Sequence, residues 1–211
     1  MPQPLTKAGI ANMALSLIGQ KPIPTADTTW TTTKEATQVA AVWETCRLVA
    51  LRAVNWNFAR VRAALVTEAV ETLTGWDYIW DYPSDKHYIR KVFVDTTSAN
   101  PDPVEYLPFY GTATEAYYLA TKEAACYYEG TDTSVGTTHD HYLLYDPIFS
   151  MSLACLVASL IAKPLTGKES ETTRMSNMYD RFIDRAVLQN AREGKVTSTL
   201  KNESEFITSR G

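Results

Sequence analysis

Two helix-forming pairs sit at opposite ends of this chain, residues 5 to 55 and 146 to 192, and the stretch between them has no helical period. Helices drawn from both termini can pack as one body only if the segment between them leaves that body and returns. The pattern therefore predicts an α+β fold: a bundle of about four helices from both chain ends, with an inserted antiparallel β module. The expected divisions are 1–55 and 146–194 for the helical body, 56–145 for the β module and 195–211 for a flexible C-terminal tail.

The helix boundaries are written in local chemistry. Thr6 is placed to cap a first helix with Ile10, Met13, Ala14, Leu17 and Ile18 at spacings of three and four, and Gly19, Pro22 and Pro24 end it. A Thr-rich loop follows over 25–33, and a second helix begins near Lys34. It puts Ala36, Val39, Ala40, Trp43, Cys46, Ala50 and Val54 on one stripe, with Lys34, Glu44 and Arg47 off it, over about 20 residues or ~30 Å. Asp146 and Pro147 open the third helix, whose apolar face runs through Phe149, Leu153, Leu156, Val157, Leu160 and Ile161 until Pro164. Thr166, with Glu169 three residues later, has the spacing of a capping box for the last helix. Met175, Met178, Tyr179, Phe182, Ile183, Ala186 and Val187 face inward there, and Gly194 is the expected stop.

Between the pairs, β-branched and aromatic residues gather in short runs at 57–66, 77–80, 88–94, 117–119 and 125–128, which read as strands. Thr74-Gly75 and Pro83-Ser84-Asp85 supply turns, Gly111 and Gly130 read as breaks, and 98–103 and 130–136 read as exposed loops. Residues 115–127 also admit a helical reading; strands fit the composition better.

Charge divides by segment. Residues 61–145 hold five basic and thirteen acidic side chains, a net of minus eight, while the chain as a whole is at minus four. That balance opposes a general nucleic-acid-binding surface, which needs clustered Lys and Arg to displace counterions. The apolar run 153–162 is about half of the roughly twenty residues a membrane span requires, so it reads as a core helix, and no membrane anchor is expected. No signal-peptide pattern opens the chain, which implies synthesis in a cytoplasm. Cys46, Cys126 and Cys155 are odd in number and widely spaced, as reduced packing residues are.

Specific catalytic signatures are lacking: no phosphate-binding Gly-rich loop, dinucleotide fingerprint, Gly-x-Ser-x-Gly or paired Cys motif occurs. His139, Asp140 and His141 offer two imidazoles, short of the three or four convergent ligands a metal needs, so neither a metal nor another cofactor is expected. Asp77 with Asp81 and Glu105 with Glu115 are the carboxylate pairs a glycosidase reading would use. Trp76, Trp80 and Tyr82 are the aromatics a carbohydrate-binding module would use, although such residues more often pack in cores and interfaces. Arg60 and Arg62, two apart on one predicted strand face, can grip a phosphate or a neighbouring carboxylate, or simply be solvated. In the tail, Leu200, Phe206 and Ile207 are candidates for a partner's groove.

Four motifs in order carry a resemblance. Ala11-Asn12-Met13-Ala14-Leu15 through Ile18-Gly19 comes first, then Asn55-Trp56-Asn57-Phe58-Ala59 with Arg62-Ala63-Ala64-Leu65. Trp80-Asp81-Tyr82-Pro83-Ser84-Asp85 follows, and Asp146-Pro147-Ile148-Phe149 with Leu156 to Ala162 and Pro164-Leu165-Thr166 closes the set. Together they resemble the tail tubular protein A family, the head-to-tail adaptors of short-tailed bacteriophages, from residue 5 to about residue 190. Tyr82 and Lys86-His87 depart from the family's pattern at the turn. The resemblance implies a non-enzymatic virion protein at the head-to-tail junction. It implies a homo-oligomeric ring of twelve copies that binds the portal protein on one side and the tail nozzle protein on the other. Double-stranded DNA would pass through the ring without sequence-specific binding. A tail-associated peptidoglycan hydrolase and a carbohydrate-binding module on a helical support are the alternatives.

Overall fold

The computed structural model describes residues 6–24, 30–66, 72–83, 86–97, 101–111, 115–133 and 145–208, with side chains left out at 86, 87 and 190–208. It is an α+β fold in which two helices from each chain end flank an antiparallel β insertion. The chain divides into two compact units, one of residues 1–58 and 135–211 and one of residues 59–134.

The helical unit holds α1 (Lys7–Leu17), α2 (Lys34–Ala53), α3 (Pro147–Thr166) and α4 (Glu169–Thr208). The caps at Thr6 and Asp146 follow the sequence, and Thr33, read as the end of a loop, caps α2. The Thr6 hydroxyl accepts from the Gly9 amide at 3.1 Å, Thr33 from Ala36 at 3.1 Å, and the Asp146 carboxylate from Ile148 at 2.7 Å. Gly19, at φ +68°, turns the chain out of α1 in a conformation that side chains resist. Asn12 then holds the loop back against α1: its carboxamide accepts from the Ile23 amide at 2.7 Å and donates to the Ile23 carbonyl at 3.3 Å.

Helix α3 is the centre of this unit. It packs against α1, α2 and α4, and Phe149, Leu153, Val157 and Ile161 have no exposed surface. Its full 20 residues are long and apolar enough to cross a membrane by length and composition, beyond the ten-residue run read from the sequence. Burial among three other helices is what a core helix of that length shows. Two aromatic segments meet it at its first turn. Trp56 lies edge-on to Phe149 at 5.0 Å, Phe58 at 5.1 Å and Tyr145 at 4.5 Å, and the Trp56 indole donates to the Ala50 carbonyl at 2.8 Å. Cys46 and Cys155 are buried free thiols, pushed up by burial to about 12 and about 11.

Several expectations need correction. Pro164 does not end α3, which runs to Thr166 and closes on Gly167 at φ +72°, whose amide donates to the Lys163 carbonyl at 2.9 Å. Thr166 is therefore the last residue of α3 and not the cap of α4. Its hydroxyl donates to the Ala162 carbonyl and accepts from the Lys168 amide. Arg47, expected off the α2 stripe, is 1% exposed and bonds to Glu44 and Tyr145. Val187, expected inward, is exposed. Helix α4 passes through Gly194 and continues to Thr208, so 195–208 are helical where a flexible tail was expected. One interior glycine costs ~1 kcal/mol relative to alanine, which a long helical run on both sides can outweigh.

The β unit contains β1 (Arg60–Ala64), β2 (Tyr78–Asp81), β3 (Lys86–Phe93), β4 (Tyr106–Gly111), β5 (Ala116–Thr121) and β6 (Tyr127–Asp132). They form two antiparallel three-stranded sheets, β1-β6-β3 and β2-β5-β4. Both contribute to one core of Leu65, Ile89, Val92, Leu119, Cys126 and Tyr128. A second cluster, Ile79, Tyr118 and Ala120, takes the residues of β2 and β5 that alternate with those facing the shared core. Strand β4 was not foreseen because Pro108 argues against a strand; it lies at a sheet edge, where the missing amide leaves no ladder gap. Gly130 is no break. It pairs with Ile89 inside β6, and a Cβ there would come within 2.9 Å of the Tyr88 carbonyl oxygen. The residues 131–133 read as exposed loop are buried or half-buried.

Two outcomes test this packing. Phe149→Ala should lower stability by about 3–5 kcal/mol in urea unfolding, because it removes the ring that three aromatics meet. Gly130→Ala should lower it by about 1–3 kcal/mol, because backbone and not a movable side chain blocks the added methyl.

Candidate functional site

Alternation in β1 and β6 builds the first of two surfaces on the β unit. Val61 and Ala63 turn into the shared core, which places Arg60 and Arg62 on the opposite side of the sheet. The register pairs Arg62 with Glu129 and Arg60 with Thr131 across the β1/β6 ladder. On the far side of β6, the register shift between Ile89 and Lys91 makes room for Arg90, whose guanidinium donates to the Thr131 hydroxyl at 3.0 Å. Lys91 lies opposite Glu129.

Four cations thus surround one carboxylate. Arg62 donates to Glu129 at 2.8 Å, and Glu129 is only 4% exposed. Burial works to raise the Glu129 carboxyl, but the Arg62 hydrogen bond and the charges of Arg60 and Lys91 outweigh it and hold the group below its ordinary range. Aromatic rings fill the gaps. Phe93 and Tyr127 are stacked at 6.1 Å, Arg62 lies 5.6 Å from the Phe93 centroid, and Arg90 lies 5.0 Å from that of Tyr88. Of the partners expected for Arg62, the structure shows the carboxylate, supplied by its own sheet. Arg60 lies exposed beside that pair.

A second surface forms at one end of the other sheet. Tyr110 pairs with Tyr117 across β4 and β5, their rings 5.1 Å apart, and Tyr82 lies 6.5 Å from Tyr117. Tyr117 is 65% exposed and Tyr110 48%. Asp81, the last residue of β2, and Glu115, just before β5, are exposed at the same end. At the opposite end, Lys122 pairs with Glu105 at 2.9 Å, feels Asp77, and lies over the Trp76 ring at 5.6 Å.

The predicted pairings are rearranged by this geometry. Asp77 and Asp81 fall at opposite ends of β2, and Glu105 and Glu115 at opposite ends of β4, which at ~3.4 Å per residue exceeds a glycosidase separation for both pairs. Trp76 and Trp80 are on different faces of one sheet, Trp76 against the Ile79 cluster and Trp80 in the shared core, with its indole donating to Thr121 at 2.9 Å. Tyr82 is the one member of that trio at the tyrosine surface. Tyr110 and Tyr117 escaped the sequence reading because Tyr110 belongs to the unforeseen β4; the period-2 match of Tyr117 to Leu119 was the available signal. His139, Asp140 and His141 lie outside the described residues, as does the His87 side chain. Among the described residues there is no group of three or more His, Cys, Asp or Glu placed to hold a metal ion. The backbone of Leu200, Phe206 and Ile207 belongs to α4; their side chains lie outside the described residues.

The Glu129 environment sets an acid dependence. Its folded value is depressed, so its contribution to stability is fully present above the unfolded value of 4.5 and is lost as pH falls through the lower folded value. Urea midpoints measured from neutral pH down through that range should fall less steeply in Glu129→Gln than in the parent, and parallel curves would exclude the assignment.

Compared with known proteins, the chain matches no protein-family model and no curated protein.

Proposed function

We propose that this chain is a structural virion protein that forms a ring adaptor between the portal of a capsid and the nozzle of a short tail. The ring extends the DNA channel for genome ejection. The sequence resemblance supplies the family, and one structural observation supports the mechanical reading: α4 has 40 residues, α3 only 20. At 1.5 Å per residue these are ~60 Å and ~30 Å, so about half of α4 extends past what its hairpin partner can cover. In a continuous helix Val196, Leu200 and Ile207, at spacings of four and seven, fall along one stripe, the pattern of a helix that lies in a partner's groove. A rigid arm repeated around a ring gives each copy the same purchase on the portal, and valency multiplies a modest contact.

The net negative charge of residues 61–145 suits a passage that does not hold DNA, since like charge keeps phosphates from adhering. It is not spread evenly. The cations of β1 and β3 gather on one sheet, leaving the acidic excess to the other sheet and the loops.

Electron micrographs of the chain mixed with portal should show a ring of about twelve subunits on the portal's tail side, following its cyclic symmetry. A portal left bare at saturating protein rejects the reading. Deleting residues 195–211 should leave the remaining domains folded by circular dichroism yet abolish attachment. Leu200→Ala or Ile207→Ala should weaken attachment by ~1 to 4 kcal/mol per site. Undiminished attachment of the truncated chain would sink the role of α4.

A further inference from the structure

The β unit carries two surfaces of opposite chemistry that cannot meet within one copy. The arginine surface lies on the side of β1 and β6 away from Val61, Ala63 and Tyr128, which face the core shared with the second sheet. The tyrosine surface, with Asp81 and Glu115, lies at one end of that second sheet. We propose that the arginine surface of one copy, centred on Arg60 and Arg62, docks on the tyrosine and carboxylate end of a neighbouring copy, around Tyr110, Tyr117, Asp81 and Glu115. This deepens the ring reading and rests on it for closure of the chain of copies into a ring.

The chemistry of the contact is already used inside the arginine surface. Arg62 grips a carboxylate at 2.8 Å, and Arg90 and Arg62 lie 5.0 Å and 5.6 Å from aromatic centroids. Guanidinium groups stack on tyrosine rings and fork onto carboxylates, so a sheet end with two exposed tyrosines on one face, Asp81 on the other and Glu115 just before β5 is the complement of this one. The contact is head-to-tail, because two different surfaces meet. Each added copy presents one of each, which allows a ring or a filament, whereas reciprocal pairing of both surfaces would stop at a two-fold dimer. Nucleic acid fits the arginine surface less well. Glu129 places a carboxylate at the centre of the cations, and Phe93, 2% exposed, presents no face for a base to stack on.

Sedimentation velocity of the full chain tests the contact with two substitutions that leave the Arg62–Glu129 pair in place, Arg60→Glu and Tyr117→Ala. Circular dichroism and urea midpoints near the parent's establish that both fold. The parent should associate with rising concentration, and each variant should associate at least about tenfold more weakly. An equimolar mixture of the two variants should form a species of two copies and stop there. In that species the intact tyrosine end of the Arg60→Glu copy meets the intact arginine surface of the Tyr117→Ala copy, and no second contact can follow. Variants that associate as the parent does, a mixture that stays monomeric, or a parent that stays monomeric up to about 1 mM would each overturn the contact. So would retention of DNA by the parent that Arg60→Glu abolishes without changing association, which assigns the surface to phosphate. A ring on the portal that both variants still form overturns this contact and leaves the adaptor reading standing. The predicted sedimentation pattern with a bare portal does the reverse.

Discussion

Phe149 meets the chain both where it leaves the helical unit and where it returns. Trp56 and Phe58 lie on the way out, Tyr145 on the way back, and all three rings stand within 5.1 Å of that one side chain. An insertion between two helix pairs separates them by about ninety residues of chain, and closing a loop of that length opposes assembly of the bundle. The aromatic cluster offsets this cost at the place where it arises. It also explains why Trp56, Phe58 and Tyr145 belong to the helical unit although composition groups them with the aromatic β segment.

From that anchor the helical unit builds around α3. Of its neighbours, α1 and α2 are capped by the Thr6 and Thr33 side chains, and α4 adds a tie of its own, Arg174 donating to the Leu17 carbonyl at the end of α1 at 2.7 Å. Lys7 closes the loop after α1 by lying 4.2 Å from the Trp30 centroid, with Trp30 edge-on to Trp43 at 5.3 Å. Arg47 is the polar exception on the buried stripe of α2. A buried guanidinium persists only with acceptors at hand, and Glu44 and Tyr145 provide them. Tyr145 thus links the aromatic cluster to the one buried cation of α2.

In the β unit the organising group is Glu129. A buried carboxylate gathers cations, and Arg60, Arg62 and Lys91 are placed around it by strand pairing and not by nearness in sequence. The unit is acidic in sum yet presents an arginine surface. Segmental charge misses this because it adds residues along the chain, whereas the field at a surface depends on which strands lie side by side.

The helix pairs, their starts at Thr6, near Lys34 and at Asp146 and the turn at Gly19 were legible because capping and helical period are local: the residues that cause them lie within four positions of one another. The existence of strands was legible for the same reason. Less legible were Pro108 inside β4 and Gly130 inside β6, whose roles are set by an edge position and by the close approach of Tyr88. Equally hidden were the burial of Arg47 and the continuation of α4 past Gly194. Of the candidate site, the sequence marked Arg60, Arg62, Tyr82, Asp81 and Glu115, the two carboxylates in other pairings, but not Glu129, Tyr110 or Tyr117. Sequence by itself determined most of the helices and strands, β4 and the end of α4 excepted, and that a β module is inserted between helices, since those follow from short-range propensity and period. Tertiary structure alone decided which carboxylate meets which arginine and which tyrosines share a surface, because pairing register joins residues as far apart as Arg62 and Glu129.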